Sequence, residues 1–85
     1  MQLNFDSFYI EPIQLKDAWN LCNFIVSNED RLKSYFPKTL SENLTPTLSQ
    51  FFVEKKVSLF NLKEEFLFAI KEQKTNAFVG LVYIK

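Results

Sequence analysis

The chain has 85 residues, ten basic and ten acidic side chains that cancel, and 47% hydrophobic content beside 24% charge, a globular rather than a disordered composition. With no histidine, one glycine and one cysteine, it lacks the inventory for an imidazole base, a glycine-rich phosphate loop or a cysteine-rich metal site. Its charge is balanced and scattered, so it offers no electrostatic footprint for nucleic acid or anionic lipid, and no stretch approaches the roughly 18 apolar residues of a membrane span.

A chain of this size forms one domain or part of one and buries only about 60 to 65% of its unfolded surface. Ten Phe, three Tyr and one Trp supply enough large apolar area for a small core. Met1 to Asp6 has no basic region followed by an apolar stretch, so no signal peptide is visible. Cys22 falls among apolar residues at helical spacing and reads as a small buried hydrophobe. A lone cysteine forms no internal disulfide, which fits a reducing, cytoplasmic setting.

In chain order, Phe8 to Ile13 alternates as a short strand near a sheet edge, with Phe8 and Ile10 against Tyr9 and Glu11, until Pro12 ends regular pairing. From Leu15 the period changes to that of a helix running to about Ser27, whose predicted buried face carries Leu15, Ala18, Trp19, Cys22, Ile25 and Val26. Lys16, Asp17, Asn20 and Asn23 fall on its polar side. Trp19 is expected to pack against the later strands. A second short helix is expected over Arg31 to Phe36, stopped by Pro37.

Thr45 as N-cap and Pro46 at the first helical position start a third helix, ending near Leu62. Its expected apolar stripe is Leu48, Phe51, Phe52 and Leu59, with Gln50, Glu54, Lys55 and Lys56 turned outward. Lys55-Lys56, the densest basic spot, reads as a solvated helix face. Asn43-Leu44-Thr45 matches the glycosylation pattern by accident in a chain without a secretory route. Two apolar strands close the sequence, Glu65 to Ile70 and Phe78 to Ile84, joined by a polar turn in which Asn76 is best suited to a positive φ. Both strands are apolar on both faces, which is the pattern of strands covered on both sides. Gly80 marks either a bulge or close helix packing.

Taken together, Ile10-Glu11-Pro12-Ile13 with Leu15-Lys16-Asp17-Ala18, Arg31 to Pro37, Asn43-Leu44-Thr45-Pro46, and Phe68-Ala69-Ile70 with Phe78-Val79-Gly80 resemble the N-terminal half of the GNAT superfamily of acyl-CoA-dependent N-acyltransferases. Within it they are similar to the subgroup of ribosomal-protein N-terminal acetyltransferases. The resemblance implies an α+β fold in β-α-α-β-β order over residues 1–85, with a mixed sheet left open at the third strand. It implies a parent protein that moves an acetyl group from acetyl-CoA to a primary amine, on a protein N-terminus or a small molecule, without a metal.

By resemblance, Arg31, Tyr35 and Phe36 help shape the acceptor entrance; the plain alternative makes Tyr35 and Phe36 core aromatics. Glu64, Glu65 and Glu72 bracket a strand and read as solvated ends rather than a general base. Family members usually carry Arg where this chain has Glu11. The family's fourth strand, pyrophosphate-binding loop and following helix have no counterpart here, so the 85-residue chain is expected to be inactive alone and to expose an unpaired strand edge prone to self-association. The competing expectation is a stand-alone α+β interaction module that binds a partner strand at that edge.

Overall fold

A computed structural model describes residues 2–84. Four strands and four helices follow in the order β1 (Leu3–Asn4), β2 (Phe8–Pro12), α1 (Ala18–Ser27), α2 (Glu29–Tyr35), α3 (Pro37–Ser41), α4 (Pro46–Asn61), β3 (Phe66–Glu72) and β4 (Phe78–Ile84), with a 3₁₀ turn at Leu15–Asp17 leading into α1. The strands form one sheet in the order β1-β2-β3-β4. Each pairing is antiparallel, so the parallel contact of a mixed sheet is absent among the described residues. The two-residue β1 was not legible in the sequence; Phe5 N–H donates to Phe8 O at 2.8 Å and closes the tight turn that folds it back.

The register of β2 on β3 runs from Phe8 opposite Glu72 to Pro12 opposite Phe68. Side chains on a strand alternate between faces, so Tyr9, Glu11, Leu67, Ala69 and Lys71 share the face covered by the helices. Leu67 and Ala69 meet Leu21 and Ile25 of α1, Leu40 of α3 and Phe52 and Val53 of α4 in one core. Phe66 and Phe68 alternate away from it and take the ring of Phe60 edge-on, at centroid distances of 5.1 and 5.5 Å. Between Ile70 and Lys71 the β4 partner jumps from Gly80 to Phe78, which makes Val79 the extra residue of a bulge. A Cβ on Gly80 would stand 3.3 Å from the Ile70 side chain, so the tight neighbour is a cross-strand residue and not a helix.

Both helix faces differ from expectation. In α1 the buried residues are Ala18, Leu21, Cys22 and Ile25, while Leu15, Trp19 and Val26 are exposed, Trp19 to 68%. Ala18, Cys22 and Ile25 are buried as predicted, and Leu21 in place of Leu15, Trp19 and Val26 turns the buried face by about 50° at 100° per residue. The cause is Asp17: instead of facing solvent it is buried and bound to Lys71 at 2.7 Å, which fixes how α1 meets the sheet. In α4 the inward residues are Ser49, Phe52, Val53 and Lys56, and Leu48 and Phe51 are exposed.

The two polar members of that inward face have partners. Ser49 Oγ donates to Asn43 Oδ1 at 2.7 Å, and Asn43 Nδ2 donates to Thr39 O at 2.8 Å. Asn43 is fully buried, so the glycosylation pattern is closed to modification in the folded chain. Helix α4 starts as predicted: Thr45 Oγ1 accepts from Leu48 N–H at 3.2 Å and Pro46 follows the cap. Pro37 ends α2 but also begins α3, a short helix the sequence reading did not anticipate. Asn76 has φ 60°, as its place in the turn required.

Candidate functional site

The chemistry concentrates where α4 ends against the sheet. Lys56 follows Phe52 and Val53 by four and three residues, so helical spacing puts it on their inward face. Beyond Asn61 the chain reverses at Lys63, which takes φ 60°; Lys63 N–H donates to Phe60 O and Glu64 N–H to Leu59 O. This left-handed helix end returns Glu65 alongside α4. Register completes the group, because Tyr83 lies opposite Leu67, two residues from Glu65 and on the same sheet face.

Tyr83 Oη donates to Glu65 Oε1 at 2.6 Å, and Lys56 Nζ donates to Tyr83 Oη and stands 3.5 Å from Glu65 Oε1. The ammonium also lies 4.7 Å from the Tyr83 ring centroid and 5.3 Å from that of Phe52. Burial, the hydrogen bond to Glu65 and the charges of Glu65 and Glu42 all push the Tyr83 phenol well above its ordinary pKa, so it stays a neutral donor at physiological pH. The group opens onto a groove of about 300 Å³ walled by Phe36 and Phe52 and rimmed by Lys38, Glu42 and Lys55. An arrangement of carboxylate, neutral phenol and aromatic faces recognises a cation. It is poorly suited to nucleophilic catalysis, since the phenolate is disfavoured.

Of the residues proposed from resemblance, the structure brings only Phe36 to this groove. It is 57% exposed and is not a core aromatic. Tyr35 is 77% exposed, and Arg31 lines a separate depression with Val26, Glu29 and Asp30. Lys56, read as solvated, is buried, and Glu65, read as a solvated strand end, has a side chain only 18% exposed. The spacing of Lys56 from Phe52 and Val53 was the available signal; the charge of Lys55-Lys56 masked it.

A second buried polar group lies elsewhere under the helices. Lys71 Nζ donates to Asp17 Oδ1 and to Glu11 Oε2, each at 2.7 Å, and sits 5.2 Å from the Phe78 ring centroid. Burial pulls its pKa down, yet the hydrogen bonds and charges of Asp17 and Glu11 outweigh this and hold it above the ordinary lysine value. Glu11, the departure from the usual Arg, is thus one of two carboxylates holding a buried lysine.

No protein-family model matches the chain, and no curated protein matches it. Solved structures do. The ribosomal-protein-S5-alanine acetyltransferase from Vibrio fischeri superposes with a TM-score of 0.87 at 20% identity, over 98% of this chain and 45% of that one. This is the N-terminal half of the GNAT fold. FdhC, a nucleotide-linked sugar GNAT, superposes with a TM-score of 0.67 at 20% identity, over 98% of this chain and 44% of that one. The chain therefore spans less than half the length of these GNAT structures.

The helix starts of this half-fold carry acidic residues or prolines. The one before α1 carries buried Asp17, α2 has Glu29 and Asp30 in its first turn, and α3 and α4 begin with prolines that donate no N–H. Acidic side chains in a first turn disfavour an anion there, whereas a proline at the first helical position removes only its own N–H and leaves the next amides, such as that of Leu48, as donors. Among the described residues no helix is long and apolar enough to cross a membrane.

Proposed function

We propose that this chain is the acceptor-side part of an N-acetyltransferase whose parent protein transfers an acetyl group from acetyl-CoA to a primary amine. The observation that carries the reading is the superposition of 98% of the chain on an acetyltransferase at a TM-score of 0.87. In this assignment Arg31, Tyr35 and Phe36 flank the entering acceptor, with Phe36 continuing into the groove at Lys56, Glu65 and Tyr83. In this reading the described residues bind and orient the acceptor. The protein works in the cytoplasm, in keeping with a single cysteine that is buried. A second copy of the chain pairs along the open edge of β4.

A stand-alone interaction module is less well supported, because a GNAT half accounts for the order of the elements without it. The test is to express the encoding reading frame to its own stop and to incubate the product with acetyl-CoA and peptides bearing free N-termini. A longer product that adds an acetyl group to an amine, read by mass spectrometry, supports the reading. A product ending at Lys85 that transfers nothing, alone or with any co-encoded partner, overturns it.

A further inference from the structure

Helix α1 carries no charged residue, although charged residues make up 24% of the chain. On its solvent side it presents Asn20, Asn23 and Ser27 instead, all three exposed. Asparagine is a poorer helix former than the Glu, Lys or Gln that suit such positions, so its repeated use here costs helix stability. Positions 20, 23, 24 and 27 fall on one helix face. That face and the turn between β3 and β4 wall an open depression of about 500 Å³, within the size range of small-ligand sites. Phe24 and Phe78 supply its apolar part, edge-on to each other at 6.1 Å. Asn28 and Asn76 complete the polar part, so four of the chain's seven asparagines line it. Among the described residues no ionisable side chain does.

Two of these amides are oriented by the fold. Asn76 Oδ1 accepts from Tyr9 Oη, and Asn28 Nδ2 donates to Phe24 O, each at 2.8 Å. The bonds set which end of each amide remains for a ligand, Nδ2 as donor at Asn76 and Oδ1 as acceptor at Asn28. The exposed amides of Asn20 and Asn23 present donor and acceptor side by side, the pairing that two neighbouring hydroxyls require. We propose that this depression binds a neutral polyhydroxylated ring, a saccharide unit, with its C–H face on the aromatic pair and its hydroxyls held by the asparagines. A carboxylate or ammonium on the ligand would find no counter-charge in the lining. The site shares no residue with the groove at Lys56 and does not depend on the transferase reading.

The native chain is titrated into the millimolar range with methyl β-D-glucopyranoside, methyl β-D-galactopyranoside and methyl α-D-mannopyranoside while the asparagine side-chain amides are followed by NMR. At least one glycoside should give saturable shifts at Asn20, Asn23 and Asn76 and none at Asn61, which lies outside the depression. Glycerol, which has hydroxyls but no ring face, and cyclohexanol, which has a ring but one hydroxyl, should each give smaller shifts. Asn23→Ala, on the exposed helix face, should keep the native melting temperature and raise the dissociation constant about two- to tenfold, the loss of a hydrogen bond or two. Asn76→Gly keeps the positive φ, removes the held donor and should weaken binding in the same range. If Asn76→Gly does not fold, Asn23→Ala decides alone. No saturable shift with any of the three glycosides, shifts at Asn61 as large as at Asn23, an equal response to glycerol or cyclohexanol, or an unchanged affinity in Asn23→Ala overturns the proposal. No acetyl-CoA enters these measurements, so a failure here leaves the transferase reading standing and a failed transfer assay leaves the saccharide site standing.

Discussion

Lys71 and Asp17, 54 residues apart in sequence, meet at 2.7 Å beneath the helices. The pair joins β3 to the turn before α1, and Glu11 adds β2 at the same distance. Removing one member of a buried ion group leaves the others charged and unpaired, which costs about 3 to 5 kcal/mol. Lys71→Met is therefore expected to lose most of the stability of so small a domain, as measured by urea unfolding. A triple replacement of Lys71, Glu11 and Asp17 by apolar residues of similar size should recover much of it. A single variant as stable as the native chain would contradict the role assigned to the trio.

The same lysine, with Tyr83, sets the alkaline limit. Both groups have pKa values raised above their ordinary 10.5 and 10.0, so the folded state holds these protons more tightly than the unfolded one. Their stabilisation is complete below about pH 10 and drains away as pH climbs from there through the raised values. Unfolding free energy should thus fall on the alkaline side, and Tyr83→Phe, which cannot ionise, should flatten that fall. An unfolding curve for Tyr83→Phe that declines above pH 10 as steeply as the native one would count against it.

Trp19 gives the plainest consequence of the rotated helix. Exposed to 68%, it has little burial to lose, and Trp19→Ala should change stability by no more than about 0.5 kcal/mol. Leu21→Ala, on the buried face of the same helix, should cost about 2 to 5 kcal/mol. The comparison is made by thermal melting of the two variants. The fluorescence maximum of Trp19 should already lie at the wavelength of a solvated indole.

These two positions show where the sequence was readable. The strand at Phe66 to Ile70, the Thr45-Pro46 helix start and the Asn76 turn depend on local chemistry and appear where local chemistry puts them, but the expected cover on both faces does not: Leu67 and Ala69 are buried while Phe66, Phe68 and Ile70 are half-buried, and Val79 and Ile84 of β4 are exposed. The rotation of α1 and α4 depends on partners distant in sequence. Lys71 is 54 residues from Asp17 and Tyr83 is 27 from Lys56, while Ser49 is satisfied by Asn43 across the turn before α4. A hydropathy pattern assigns Asp17, Ser49 and Lys56 to solvent because it cannot see the group that will satisfy each of them. The candidate site was missed for the same reason: two of its three polar members were read as solvated, and only Phe36 at its rim was singled out.

The edge of β4 sets the last expectation. Phe78 to Ile84 contains no charged residue and no proline, and among the described residues β4 pairs only with β3. The other end of the sheet is blunted, because β1 is two residues long. Natural edge strands are protected by charges, prolines or shortness, and β4 has none of these beyond the bulge at Val79. Antiparallel pairing of β4 with the same strand of a second copy would satisfy its outward backbone groups, and a two-fold axis closes that contact at a dimer. Val79, already 52% exposed, can carry a lysine without disturbing the core, so Val79→Lys should melt like the native chain yet dissociate. Val82→Lys, on the half-buried face, should weaken the dimer more by burying an unpaired charge. Sedimentation across the micromolar range, with amide exchange over 78–84, distinguishes the outcomes. A concentration-independent monomer at high micromolar levels, or a dimer that survives both substitutions with those amides unprotected, would show that the β4 edge is not where copies meet.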